Sequence, residues 1–363
     1  MVKIILLMLG ILFISCPSSP SKEQAGRALF VSVIQDPPVL ASHEAIIRLI
    51  DFAKQARIKT LFVQIYHSGQ AWFPSEVVDD SHYKKSRLAV SQDPLALLIR
   101  QAHAQGLEVH AWLNLLSLGN NTSASFLKRY GPDVLSRNLK PKNRIEDFKI
   151  DHQYFLDPSD ERVRNDLAKI IAEVLRAYPD LDGLQFDYIR YCDVNPHYGY
   201  TSTNIANFKK VYGLKAIDDS SLLWKNWKRS QVTGLLMKLV KEARAIKPGI
   251  KISTTGCMPY ARAYDEAFQD WASWLSSGLV DFVTVMDYSI DVKQFERWFL
   301  ALKEKVQDPS KLKIAVGAYK TVHTPEIFEK EFSSCENRGQ ACVVFHYGSL
   351  LQSPEMQVFL KKR

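Results

Sequence analysis

The 363-residue chain has five cysteines, and no two of them have CxxC spacing. Its nine histidines are dispersed, and no HExxH occurs. Neither spacing that builds a zinc site is therefore present, and no metal centre is expected. No G-x-G-x-x-G follows the first apolar segment, where "SVIQDPPVLASH" stands instead, so a dinucleotide-binding sheet is not expected. No glycine-rich phosphate cradle occurs elsewhere, and no cofactor is implied. The net charge of +8 is scattered, with no basic helix and no RNP-like aromatic motif. That distribution suits an acidic polymer or an anionic surface but does not mark a nucleic-acid binder. There is no internal repeat of fixed period.

Long hydrophobic runs are also missing. The longest covers 4–14, in "MVKIILLMLGILFISC". It is too short for a membrane-spanning helix and fits the apolar region of an export signal. It ends in "FISC", where a small residue before a cysteine resembles a bacterial lipobox. We read 1–16 as a lipoprotein signal with Cys16 as the lipidated residue and membrane anchor. "PSSPSKEQAG" (17–26) reads as a flexible tether. The alternative is an ordinary signal peptide cleaved nearby, with Cys16 incidental. Either reading places the mature chain outside the cytoplasm, in the bacterial cell envelope. Four cysteines then remain, an even number that permits disulfides in an exported protein, and Cys335 and Cys342 are close enough in sequence to pair.

From residue 27 onward β-rich apolar runs alternate with helical ones. The runs are "RALFVSVIQ", "KTLFVQIY", "LEVHAWLN", "DGLQFDYI", "IKISTTG", "VDFVTVMDYS", "LKIAVGAY" and "ACVVFHYG". Helical segments lie between them. One is expected to be capped by Ser42, another to start at Pro94 and end at Gly106, and 264–278 reads as one continuous helix. Strict alternation means parallel strands with crossover helices. Eight such strands point to a single (β/α)8 TIM barrel over 27–363, with long loops after strands three and four.

In that barrel the functional side chains gather at the C-terminal ends of the strands. Those ends carry Gln64, Tyr66 and His67; Trp112 and Asn114; Asp187, Tyr188, Arg190 and Tyr191; Thr255 and Cys257; Asp287 and Tyr288; Tyr319 and Lys320; and His346 and Tyr347, with the tyrosines after Asp187 as candidate sugar platforms. Aromatic rings beside amides and carboxylates suit a carbohydrate. Side chains alternate along a strand. Gln185 and Asp187 therefore share one face, expected to point into the barrel, with Leu184 and Phe186 on the other. Val283, Val285 and Asp287 likewise share a face with the acid last. Asp187 and Asp287 are the expected pair of catalytic carboxylates, with Glu76 as another candidate partner. Arg190 is expected to pair with Asp187 or grip an acidic group. Asp182, at the start of its strand, reads as a turn or cap.

The stretch "LDPSDERVRNDLAKIIAEVLRAYPDLDGLQFDYIRY" resembles the signature of the glycosyl hydrolase-like 10 family, also known as DUF187. "TLFVQIYHSGQAWFPSE", "GLEVHAWLN", "DWASWLSSGLVDFVTVMDYS" and "FHYGSL" resemble further segments of that family in the same order. The resemblance implies a TIM-barrel glycosidase, often exported or lipid-anchored, acting on envelope glycans such as peptide-stripped peptidoglycan strands. It assigns Asp187 and Arg190 to the core of the site, with Gln64 and Asn114 as accompanying contacts. This chain departs from the family pattern at Cys192, where proline is usual, and at "NLLSLG", where "NPYR" is common. It also lacks the DGxDxDxE of family 18 chitinases: on that frame "DGLQFDYI" puts Gln185 at the middle acid and Ile189 at the proton donor.

The expected function is an exported glycoside hydrolase acting on a polysaccharide of the cell envelope. Asp187 and Asp287 would be catalytic, and Gln64, Tyr66, Trp112, Asn114, Arg190, Tyr191, Tyr288, His346 and Tyr347 would bind substrate. The alternative is a non-catalytic glycan-binding protein that uses the same barrel mouth.

Overall fold

A computed structural model describes residues 26–192, 196–214, 216–302 and 304–362. The expected signal and tether, including Cys16, lie outside the described residues except for Gly26. Eight parallel strands follow one another around a closed barrel, numbered here in chain order. They are β1 (Arg27–Val31), β2 (Ile58–His67), β3 (Glu108–Asn114), β4 (Gly183–Asp187), β5 (Lys251–Gly256), β6 (Phe282–Asp287), β7 (Leu312–Val316) and β8 (Ala341–Val344). Closure comes from β1, which pairs in parallel with both β8 and β2. Buried Arg27 pins this seam from below: Nη1 donates to the carbonyls of Ala56 and Leu360, and Nε donates to Glu336 at 2.7 Å.

The helical layer forms where caps and apolar stripes coincide. Ser42 Oγ accepts from the Ala45 amide at the start of helix His43–Gln55. Asp93 does the same for Pro94–Ala104, and Asp160 for Glu161–Ala177. In the last of these, Val163, Leu167, Ile170, Ile171 and Val174 are buried, a helical spacing that turns one face onto the barrel.

Several elements differ from expectation. The segment 264–278 is not one helix: short helices Tyr260–Asp265 and Trp271–Ser276 flank Phe268, whose φ of 53° cannot continue a right-handed helix. The break frees buried Gln269, whose amide accepts from the Cys257 backbone and donates to the Thr255 carbonyl. The connection after β2 carries an added helix, Ser81–Val90. The long loop after β3 contains a small antiparallel pair, Ser117–Gly119 with Tyr154–Phe155. Cys335 and Cys342 form a disulfide joining helix Pro325–Asn337 to β8, while Cys192 and Cys257 are buried thiols.

Strand register decides what fills the barrel. Ala28, Phe30, Phe62, Trp112, Phe282, Ala315 and Val343 form an inner cluster separate from the main core under the helices. Phe30 meets Phe62 at 4.8 Å and Trp112 at 4.9 Å between ring centroids. At the bottom, His110 pairs in register with Gly183. A Cβ at Gly183 would land on the His110 imidazole, which is 1% exposed and has nowhere to retreat. We therefore expect Gly183→Ala to destabilise by about 1–3 kcal/mol, the range for overpacking a core. Thermal unfolding should show a drop of several degrees, whereas Gly249→Ala, with open space around the added methyl, should show none of comparable size.

Candidate active site at the barrel mouth

Asp187 ends β4 on the inner face, as the alternation with Leu184 and Phe186 predicts. It is 5% exposed and surrounded by donors. Thr255 Oγ1 donates to Oδ1 at 2.6 Å, the Tyr188 amide to the same oxygen at 2.7 Å, and Trp112 Nε1 to Oδ2 at 3.1 Å. Arg190 Nη1 stands 3.6 Å from Oδ1, and its guanidinium lies over the Tyr188 ring at 4.3 Å. These neighbours hold Asp187 as an acceptor in one orientation. A carboxylate held in this way can stabilise positive charge developing at a sugar carbon, or attack it.

A second polar chain adjoins the first. Ser32 Oγ and the Val33 amide donate to Gln64 Oε1, and Gln64 Nε2 donates to Asn114 Oδ1 at 3.1 Å. Asn114 is the register partner of Asp187. Above them is an aromatic wall in which Tyr288 meets Phe345 at 5.0 Å and Tyr319 at 5.5 Å, and Phe345 meets Trp112 at 5.8 Å. The buried Tyr288 hydroxyl has no hydrogen-bond partner among the described residues. Its pKa is raised well above the usual tyrosine value, first by burial and then by the charge of Asp187. Half-buried His67 is held below its ordinary pKa by burial, opposed by Asp187. His346 packs edge-on against Phe345 at the rim, with its pKa lowered by burial.

Gln64, Trp112, Asn114, Asp187, Arg190 and Tyr288 thus come together as expected. Five other expectations are corrected. Asp287 faces outward, because β6 pairs with β5 as Ser253 to Phe282, which puts Phe282 and Thr284 inside and Val283, Val285 and Asp287 outside. Tyr66 also faces outward, since the register shifts between Gln64 and Tyr66 and pairs Tyr66 with outward Leu113. Tyr191 is a buried strut, edge-on to Phe268 at 5.8 Å and accepting from Asn204 Nδ2. Tyr347 packs on Phe52 of the first helix. Glu76 lies elsewhere too, beside helix Glu161–Ala177, where its amide donates to Glu173. Asp182 anchors the start of β4 as expected, accepting from the Val109 amide at 2.7 Å.

Phe345 belongs to the site but was not among the strand-end residues expected there; Thr255 and Tyr188 were, Tyr188 as a candidate sugar platform, and both instead donate to Asp187, Tyr188 through its backbone amide. Thr255 and Phe345 follow the inner-face alternation of β5 and β8, a signal that was available. Tyr188 depends on a backbone turn that alternation does not reveal.

The model of the family described as "Glycosyl hydrolase-like 10" matches residues 31–334. The chain belongs to that family. Among relatives of this family member is "Glycosyl hydrolase DigH" of Escherichia coli (strain K12), 24% identical over 310 residues, which cover 80% of this chain and 68% of that protein. "Glycosyl hydrolase YngK" of Bacillus subtilis (strain 168) is 25% identical over 263 residues, covering 67% of this chain and 48% of the relative. Among solved structures, the galactosidase domain of the alpha-galactosidase-sucrose kinase AgaSK superposes with a TM-score of 0.56 at 14% identity, covering 94% of this chain and 40% of that one. A beta-galactosidase from Marinomonas ef1 gives a TM-score of 0.57 at 10% identity, covering 89% and 54%. At these identities the structural likeness shows the fold of this family member, a (β/α)8 barrel.

Outward-facing Asp287 has a different role from the one expected. It and Glu331, on helix Pro325–Asn337, are both 0% exposed. The Ser289 amide lies near enough to lower the Asp287 pKa slightly, but among the described residues no normally formed hydrogen bond reaches any of the four carboxyl oxygens. Burial first, and then the Glu331 charge, pushes Asp287 up to about 8; burial first, and then Asp291, does the same for Glu331. Both acids thus hold a proton in the folded state that they release when unfolded. Their linked stability is fully present below pH 4 and is lost as pH rises from the ordinary carboxylate range through about 8. Asp287→Asn and Glu331→Gln should each raise the melting temperature, with a gain at pH 8 that exceeds the gain at pH 5. A gain independent of pH would contradict this assignment.

Proposed function

We propose that this protein is an exported, lipid-anchored glycoside hydrolase that cuts a cell-envelope polysaccharide, with peptidoglycan glycan strands as its substrate. The observation that carries the reading is Asp187, buried at the C-terminal end of β4, oriented by Trp112, Thr255 and Arg190, and overhung by the aromatic wall. That position in this fold is where catalytic groups act. Family membership and the relatives named glycosyl hydrolases support the reaction class. The apolar run before Cys16 and the Cys335–Cys342 disulfide support an oxidising location outside the cytoplasm. An enzyme tethered there meets the envelope glycan first.

In this reading Asp187 stabilises the oxocarbenium-like transition state, and Arg190 keeps the carboxylate in place. Gln64, Asn114 and the unpartnered Tyr288 hydroxyl address sugar hydroxyls, while Trp112, Phe345 and Tyr319 offer ring faces and edges. A second reading, a non-catalytic glycan-binding protein, is favoured by one observation: neither Asp287 nor Glu76 stands beside Asp187 to complete a carboxylate pair.

Mass spectrometry of products from peptide-stripped glycan strands separates the two readings. For the hydrolase, the intact protein releases soluble fragments. Asp187→Asn should then lower the rate by a factor on the order of 10²–10⁴, the usual contribution of such a group, while strand binding persists. Asp287→Asn should keep activity within a few-fold. Binding of strands without release of fragments by the unsubstituted protein would favour the binding reading.

A further inference from the structure

The connection between β4 and β5 builds a knob beside the mouth. It holds helix Ser202–Tyr212 and the 25-residue helix Leu222–Ile246, which is about 37 Å long at the usual rise per residue. The far end of the longer helix reaches the barrel bottom, where Lys247 Nζ donates to the Leu181 carbonyl just ahead of β4. Its first turns therefore lie on the mouth side. From Val232 onward its buried apolar side chains join the main core, but Trp224 does not. Trp224 packs instead with Tyr200 and Phe208 in a small separate cluster, edged by Ile205, Ile217 and Trp227. Phe208 meets Trp224 at 4.9 Å and Trp227 at 5.8 Å, and Tyr212 meets Trp227 at 6.1 Å. The knob thus has a core of its own, which holds the end of one helix against the start of the other.

That core leaves apolar side chains outside it. Of the fourteen exposed large apolar side chains among the described residues, five lie between Val211 and Leu223, with Val211 at 62% and Leu222 at 73% exposure; the others are Tyr212, Leu214 and Leu223. Apolar side chains gathered on one exposed feature mark an interaction surface. The same tip carries Lys209 and Lys210 in the last turn of the first helix and Lys225 one turn after Leu222. Among the described residues no side-chain hydrogen bond or ion pair engages these three lysines. The two acids nearby are turned to local partners: Asp219 is bonded to Tyr200 and His197, and Asp218 accepts from the Ser220 amide and hydroxyl. Aliphatic side chains beside lysines suit one kind of occupant. Protein interfaces are depleted in lysine, and a glycan is better met by rings and amides such as those at the mouth. A bilayer with anionic headgroups takes both groups, the leucines at the acyl boundary and the ammoniums at the phosphates. We propose that the knob is a docking surface for an anionic bilayer, with Leu222 and Leu223 entering between headgroups and Lys209, Lys210 and Lys225 meeting lipid phosphates. The inference rests on the envelope location proposed above and goes beyond it, because a second membrane contact turns one fixed side of the barrel to the bilayer, whatever bond the mouth cuts.

The test uses the full chain with a nitroxide spin label on Leu222→Cys and, as a control, on Val358→Cys, an exposed apolar position on helix Pro354–Lys362. Cys192 and Cys257 are buried and Cys335 and Cys342 are bonded, so the label reaches the added thiol, and the parent chain treated alike is the blank. Each protein is mixed with vesicles of phosphatidylcholine, with or without phosphatidylglycerol. Label depth is read from relaxation by oxygen against relaxation by a water-soluble nickel complex. The Leu222→Cys label should enter the lipid of the anionic vesicles, while the Val358→Cys label stays in water. Lys209→Gln together with Lys210→Gln should shift the first label back toward water by on the order of 5-fold per lysine, with the melting temperature unchanged. A label at the knob that stays in water on anionic vesicles overturns the docking surface. So does equal entry into both kinds of vesicle, or entry that survives the two lysine substitutions. Protection of that label without vesicles, either rising with protein concentration or appearing with glycan strands, assigns the knob to a second copy or to the polymer and overturns it as well. Entry by a chain whose Cys16 is unmodified by mass spectrometry keeps the docking surface and sinks the lipid-anchor reading. A lipidated chain whose knob label stays in water does the reverse.

Discussion

Parallel register is the constraint on which the site depends. Once β4 pairs with β3 as Gly183 to His110 and β6 pairs with β5 as Phe282 to Ser253, the inward or outward facing of every later residue on those strands is settled. Both strands end in aspartate, and each aspartate follows two apolar residues at alternate positions. The register sends Asp187 into the mouth and Asp287 behind the wall. A one-residue slip would reverse both and drive Phe282 out of the inner cluster, which the packing of Phe62 against Phe282 resists. What reaches the mouth from β6 is the next residue, Tyr288, and the site gains a phenol where a second acid was expected.

The two aspartates show how strongly environment governs a carboxyl group. Asp187 sits among a hydroxyl, an indole N–H, a backbone amide and a guanidinium, each of which donates or carries positive charge. Asp287 sits against apolar side chains and another acid, and its cheapest state there is the neutral one. The first arrangement orients a hydrogen-bond acceptor at the mouth. The second holds a polar pair inside the seam between a strand and the helix that the disulfide also ties to the sheet, at some cost to stability.

Much of this was legible in the sequence. The alternation of strands and helices, the helix cap at Ser42 and the barrel class follow from local pattern, because helix periodicity and strand length survive packing. Asp187, Arg190, Trp112, Gln64 and Asn114 were legible because strand ends in this fold meet at one place. The errors share a cause. The outward turn of Tyr66 comes from a register shift after Gln64, the break at Phe268 from a left-handed residue that is not glycine, and the facing of Asp287 from pairing with a neighbouring strand. None of these leaves a trace in hydrophobic periodicity, since each is decided by partners distant in sequence. Tyr191 and Tyr347 were misplaced for a related reason: beyond the last paired residue of a strand, alternation no longer tells where a side chain goes.

Tyr188 carries one more consequence. Its φ of 53° is unusual for a bulky aromatic, and glycine would adopt it without penalty. The turn points the Tyr188 amide back at the preceding carboxylate, and the same residue's ring lies under Arg190. Glycine would keep the amide but lose the ring, whereas an aromatic in ordinary extended backbone would keep a ring but lose the amide. The segment "FDYIRY" therefore ties backbone strain to charge alignment in a single residue. The acid at the end of β4 is thus braced by its own chain segment as well as by Trp112 and Thr255 from the two neighbouring strands, so its angle is fixed from three sides at once.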